Sequence, residues 1–182
     1  WVIDNKDRFN IRIMSLSLGS EAVGNAYNDP LAVAAGSVWS RGITVIAAAG
    51  NSGPKNGTIT TPGVNNKIIT VGAVDDKRTV DVKDDTIADF SSRGPVGKLG
   101  IKPDVVAPGV DIISLNADKN YISGTRPIVL RERYRKMSGT SVATPIVSGA
   151  AALLLEKNPN LSPEDIKGLI LDSGRSLSDD IY

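Results

Sequence analysis

Hydrophobic and polar positions change period several times along the chain, and each change marks a predicted element. Residues 11–17 read Ile-Arg-Ile-Met-Ser-Leu-Ser, a short strand-like run ending at Leu18-Gly19-Ser20. Asp29-Pro30 then opens a predicted helix, because a carboxylate caps free N–H groups and proline suits the first helical position. Its apolar residues Leu31, Ala34, Ala35, Val38 and Trp39 recur at helical spacing, and Arg41-Gly42 closes it. Residues 43–49 form a nearly unbroken apolar run, the pattern of a strand buried on both faces. After a loop over 50–66, residues 68–74 repeat that pattern.

Strand, helix and strand in so short a stretch make a parallel crossover unit. The fold class is therefore α/β, a three-layer α/β/α arrangement with a mostly parallel sheet. Residues 105–107 and 110–114 read as short extended pieces around Pro108-Gly109, and residues 115–136 as an irregular insertion. Two further helices are predicted over 141–157 and 163–173, the second with Ser162 as N-cap, Pro163 at N1 and Asp165 at N3. Gly149 and Ala150-Ala151-Ala152 suggest that the first of these packs closely in the core, and Pro145 inside it should bend its first turn. Trp1, Val2, Asp4, Asn5, Lys6 and Arg8 read like the end of an amphipathic helix too short to nucleate alone. The chain is thus expected to begin at a truncated or processed N-terminus.

Composition removes several classes of function. Twenty-one Lys and Arg against 20 Asp and Glu leave a net charge of +1, with no sustained basic surface for nucleic acid. The longest weakly polar run, residues 142–155, is too short for a membrane span and contains Pro145 and Gly149. The absence of cysteine excludes disulfides and thiolate metal sites while leaving the compartment open, secreted or cytoplasmic. The absence of histidine removes the commonest general base. Asp75, Asp76, Asp81, Asp84, Asp85 and Asp89 read as solvated, as do Arg126, Arg131, Arg133, Arg135 and Lys136, unless the latter form a cleft rim that attracts acidic substrates.

The most informative stretch is Ser138-Gly139-Thr140-Ser141-Val142-Ala143-Thr144-Pro145. A serine at the start of a buried helix, after a glycine that turns the chain tightly, projects its hydroxyl beside N–H groups able to stabilise negative charge. On the serine alone, a capping role competes with a nucleophilic one. Ala143 stands where the G-x-S-x-G elbow has its last glycine, which disfavours an esterase or lipase of another fold.

This stretch resembles the signature around the active serine of subtilisin-like serine proteases. Three more segments resemble that family in the same order: Ser15-Leu16-Ser17-Leu18-Gly19-Ser20, Ala47-Ala48-Ala49-Gly50-Asn51-Ser52-Gly53, and Lys102-Pro103-Asp104-Val105-Val106-Ala107-Pro108-Gly109. The resemblance implies that Ser141 attacks a peptide carbonyl while its backbone N–H and the Asn51 amide hold the oxyanion. Read by itself, Asn51 is a loop asparagine in a left-handed turn; its place after a buried strand, in Ala-Ala-Gly-Asn, favours the donor role. The resemblance also implies that Ser17-Leu18-Gly19 and Ala48-Ala49-Gly50 offer backbone edges to an extended peptide or protein substrate. Thr60 and Ser52 would lie at the base and rim of the pocket for the residue before the cut; both are uncharged, so apolar or unselective cleavage is expected. Thr61-Pro62 matches a position that is often cis. Asp104, with carbonyls of residues 62–68, matches a weak structural site for calcium or a monovalent cation in some relatives, although a solvated or capping Asp is the favoured reading; no cofactor is implied for the chemistry.

The sequence departs from the family in one respect. The family's Asp and His motifs lie upstream of the segment at 15–20, and neither is present here. The chain is then a fragment or one half of a nicked enzyme, inactive until an N-terminal segment of the same domain supplies them. The alternatives are a histidine-free, non-catalytic interaction domain on the same scaffold, and a Ser-Lys dyad using Lys136 or Lys102, for which no lysine has a supporting spacing. Without its neighbour, the strand at 11–17 would be an open edge prone to dimerisation or aggregation.

Overall fold

In the computed structural model, the strand predicted from the unbroken apolar run is buried at every residue from Thr44 to Ala48. The structure describes residues 1–23, 26–97, 100–116 and 133–177, with the backbone of 129–131. A sheet is built from β1 (Ile13–Leu16), β2 (Thr44–Ala48), β3 (Ile69–Asp75), the short β4 (Thr86–Ile87) and β5 (Val105–Pro108). The pairs β1–β2, β2–β3 and β3–β5 are parallel, and only β4 runs antiparallel, against the end of β3. Met14 stands beside Val45 and Ile46 beside Ile69 in this register.

A single turn, α1 (Lys6–Phe9), precedes the sheet and ends at Asn10 in the left-handed conformation. The crossover from β1 to β2 is α2 (Pro30–Trp39), whose first N–H groups, Leu31 and Ala32, donate to Asp29 at 3.0 and 2.9 Å. Helix α3 (Thr140–Lys157) lies across β1, β2, β3 and β5, and α4 (Pro163–Ser173) packs against α3 and β2. The predicted capping box of α4 is present, with Ser162 and Asp165 bonded reciprocally. Trp39 Nε1 donates to Glu164 at 2.5 Å and ties α2 to α4. One apolar cluster joins Val38, Trp39, Ile46, Ile69, Val147 and Ile166, so the core sits between sheet and helices. The architecture is α/β, as the element order predicts.

Two expectations need correction. Of the small residues at 149–152 in α3 only Ala151 is buried; Gly149, Ala150 and Ala152 are exposed, and a side chain on Gly149 would meet nothing. The sheet covers one stripe of the helix, Thr140, Ala143, Thr144, Val147, Ala151 and Leu155, and leaves the opposite face open. The insertion at 115–136 is not irregular throughout. β6 (Ile112–Leu115), β7 (Val129–Arg131) and β8 (Tyr134–Met137) form a second antiparallel sheet with Leu115 opposite Tyr134. Such pairing depends on a partner strand distant in sequence, which a local window does not contain.

Candidate active site

β2 ends at Ala48, and the chain leaves the sheet through Ala49, Gly50 and Asn51. Gly50 has φ +108°, and a Cβ there would lie 2.7 Å from Thr60 Cγ2, so the turn needs glycine twice over. Asn51 Oδ1 accepts the Thr140 N–H at 2.9 Å and the Thr140 hydroxyl at 3.0 Å. The same hydroxyl oxygen accepts the Gly50 N–H at 3.2 Å. Because both bonds to Oδ1 come from donors, Nδ2 is the outward end of the amide. The start of α3 is fixed from the sheet side: Gly139 N–H donates to Gly109 O at 2.8 Å, and Gly109 N–H to Val74 O at 2.9 Å. A Cβ on Gly139 would stand 3.5 Å from Asn51 Nδ2 and 3.7 Å from Ser141 N, so these two donors border one small space. Neither has a partner among the described residues.

Ser141 is the second residue of α3 and half-buried, and its hydroxyl has no partner among the described residues. Helix α3 continues through Pro145. Pro145 lacks the N–H that would bond the carbonyl four residues back, which is that of Ser141. Ser17 supplies the donor instead, Oγ to Ser141 O at 2.8 Å. A second bond, Ser148 Oγ to Ser15 Oγ at 2.9 Å, ties α3 to β1.

Leu18 and Gly19 project past the end of β1, exposed and without backbone partners among the described residues. Ala48 and Ala49 are instead buried, and the Ala49 N–H and C=O are engaged by Val71 and Thr60. Gly50 is engaged as well, its N–H by the Thr140 hydroxyl at 3.2 Å and its C=O by Ser92 N–H at 2.9 Å, so the expected edge at 48–50 has no free backbone group at Ala49 or Gly50. Thr60 is wedged between the two glycines: a Cβ on Gly19 would lie 2.5 Å from Thr60 Oγ1. Thr60 and Ser52 line a cavity of about 710 Å³, as do Ile59, Val64 and Glu21. Glu21 is absent from the sequence-based pocket, because no motif marks it; Ser20 places it there by bridging to Thr61. The Thr61–Pro62 bond is cis.

Asp29 is more than a helix cap. Its carboxylate, 1% exposed, also accepts the Thr61 hydroxyl at 2.5 Å and the Val23 N–H at 2.8 Å. Burial alone would raise its pKa; the bonds from Thr61, Ala32, Val23 and Leu31 outweigh that and hold it below the ordinary value.

Asp104, read as a solvated or capping residue with a cation site as the alternative, is held by ammonium groups. Lys102 Nζ lies 2.5 Å from Oδ2 and Lys167 Nζ 2.9 Å from Oδ1. Lys167 also donates to the carbonyls of Asn66, Lys67 and Ile68, and Lys102 to Ile68 O and Thr70 Oγ1. Burial lowers the Lys102 pKa to about 8, against the opposing pull of Asp104, and Lys167 lowers it further. No group of three or more His, Cys, Asp or Glu able to hold a metal gathers among the described residues. Both lysines considered as bases are engaged elsewhere, Lys102 at Asp104 and Lys136 at Asp111. Of the basic stretch, Arg126 lies outside the described residues and Arg131 is described by its backbone alone; Arg133 is exposed and Arg135 half-buried. Among the described residues no helix is long and apolar enough to cross a membrane.

Known proteins resemble the chain in sequence and in fold. The chain is 50% identical over 170 residues to serine protease AprX of Bacillus subtilis, covering 92% of this chain and 38% of that protein. It is 33% identical over 184 residues to subtilisin DY of Bacillus licheniformis, covering 100% of this chain and 55% of the relative. The solved structures of sphericase and of the S41 psychrophilic protease superpose with TM-scores of 0.71 each, at 31% and 32% identity. Each alignment covers 94% of this chain and about half of the other, 51% and 52%. The chain thus spans about half or less of the length of these relatives. The model of the subtilase family, Peptidase S8, matches residues 1–181, and the chain belongs to that family.

Proposed function

We propose that this chain carries the nucleophile and oxyanion donors of a serine endopeptidase. The observation that carries the reading is the amide of Asn51, locked by Thr140 beside the N–H of Ser141, which has no partner among the described residues, at the start of α3. Ser141 Oγ attacks the peptide carbonyl, and its proton passes to a base and then to the departing amine. The carbonyl oxygen, negative in the tetrahedral state, accepts from Ser141 N–H and Asn51 Nδ2. Collapse leaves an acyl-enzyme that water hydrolyses. The backbone of residues 17–19 receives the substrate as an extended strand, and Thr60 forms the floor of the pocket for the residue before the cut.

The base and its orienting carboxylate come from an N-terminal segment of the same domain, since this chain has no histidine. Two surfaces support that partner. Among the described residues β1 pairs with β2 alone. The open face of α3 carries exposed Ile146 and Leu153 alongside Gly149 and Ala150. The chain by itself is then inactive and self-associates through β1. Lys102 and Lys167 take the place of a structural cation at Asp104.

The test joins the chain to an Asp- and His-bearing segment and measures peptide cleavage and fluorophosphonate labelling of Ser141. Cleavage abolished by Ser141→Ala is expected. A joined protein that neither cleaves nor labels points instead to a non-catalytic interaction domain. A monodisperse monomer of the isolated chain at tens of micromolar would overturn the self-association.

A further inference from the structure

We propose that Glu21 makes the cavity beside Thr60 select a cationic residue, arginine or lysine, on the acyl side of the cleaved bond. The inference rests on the protease reading and names the substrate class of that same site. It departs from the apolar or unselective preference drawn from Thr60 and Ser52, because the tertiary structure adds a wall those two residues do not reveal.

Glu21 is the one charged residue among the described residues lining the cavity. Its backbone is held on both sides. Ser20 exchanges hydrogen bonds with Thr61 at 3.3 and 3.0 Å, and Val23 N–H donates to the buried carboxylate of Asp29 at 2.8 Å. Asp29 also accepts the Thr61 hydroxyl, so the segment bearing Glu21 and the segment bearing Thr60 are fastened to one buried post. The carboxylate of Glu21 makes no ion pair among the described residues. The lining also includes the apolar Ala22, Ile59, Val64 and Val96 and the uncharged Ser52 and Thr58. Apolar walls with a single acid match a side chain that has a methylene stem and a positive tip. The volume, about 710 Å³, accommodates a side chain of that length.

Glu21 is exposed, so solvent weakens its attraction and the selectivity it confers is modest, about fivefold. An effect of this origin has a second signature, loss at high salt.

The experiment uses the complete protease domain, with its Asp and His segment, and peptides that differ only before the scissile bond: Arg, Lys, Phe, Leu or Glu. In wild type, kcat/KM for the Arg and Lys peptides exceeds that for the Glu peptide. Glu21→Gln lowers the Arg-to-Phe ratio of kcat/KM about fivefold, and Glu21→Lys makes the Glu peptide better than the Arg peptide. In about 1 M salt the wild-type ratio falls toward that of Glu21→Gln. An Arg-to-Phe ratio that Glu21→Gln leaves unmoved overturns the proposal. If Ser141 labels with a fluorophosphonate while the ratio stays fixed, the selectivity alone is wrong. If no peptide is cleaved and Ser141 does not label, the protease reading falls and takes this inference with it.

Discussion

Asn51 and Thr140 are 89 positions apart in the chain, yet Asn51 Oδ1 takes both the backbone N–H and the hydroxyl of Thr140, at 2.9 and 3.0 Å. The two bonds do two things. They satisfy a free N–H at the beginning of α3, and they leave the amide only one direction for its own N–H groups. Orientation is thus set before any substrate arrives, which is what makes such a donor effective.

Replacing Asn51 by Ala should lower kcat about 10²–10³-fold with little change in KM, the size of the loss being taken from the same kind of change in subtilisin. Thr140→Val removes the hydroxyl but keeps the N–H bond, so the amide is held by one contact and kcat falls by a smaller factor, about tenfold. Steady-state kinetics on the complete domain separate the two. A rise in KM with kcat intact would mean that Asn51 binds substrate and does not stabilise the transition state.

Ser17 supplies the donor that Pro145 withholds from the Ser141 carbonyl. Ser17→Ala should cost about 1 kcal/mol of stability, the value of one hydrogen bond to a half-buried acceptor. Pro145→Ala restores the helical N–H, so the double variant should recover most of that stability in urea unfolding. No recovery would show that the Ser17 contact does not answer the proline.

Asp29 joins the cap of α2 to the loop over 20–23 and to Thr61. Its pKa is lowered in the folded state, so its contribution is present above the unfolded value of 3.8 and is lost as pH falls through the folded value. Asp29→Ala should lose a cap and two further bonds, about 2–3 kcal/mol at neutral pH. The difference from wild type, followed by urea midpoints, should shrink in strong acid. A constant difference down to the most acidic condition would refute this account.

At Asp104 two ammonium groups share one carboxylate. Asp104→Asn leaves both charges without a counter-ion in a buried setting, a loss of about 3–5 kcal/mol. The pH dependence has an unusual sign. Lys102 is depressed to about 8 in the folded protein against 10.5 unfolded, so between these values the unfolded chain binds more protons and this group's contribution rises with pH. Wild type should gain stability relative to Lys102→Met from pH 8 to pH 10, by about 3 kcal/mol at most. Chelation of divalent cations should leave the local structure unchanged, as the amide exchange of residues 66–70 would report. A chelator-sensitive signal there would restore the cation.

Much of this protein is written in short windows. The buried run at 44–48, the capping Asp29 and Ser162, and the glycines flanking Asn51 and Ser141 depend on period, caps and backbone freedom, all of which act over a few residues. The exposed face of α3 is not legible in sequence, because small residues resemble core residues until the covering element is known. The pairing of β6 with β8, the meeting of Lys167 with Asp104 and the entry of Glu21 into the cavity were decided by tertiary structure alone. Each joins segments brought together by sheet register and loop closure, and no local pattern encodes which distant side chain will stand across the gap.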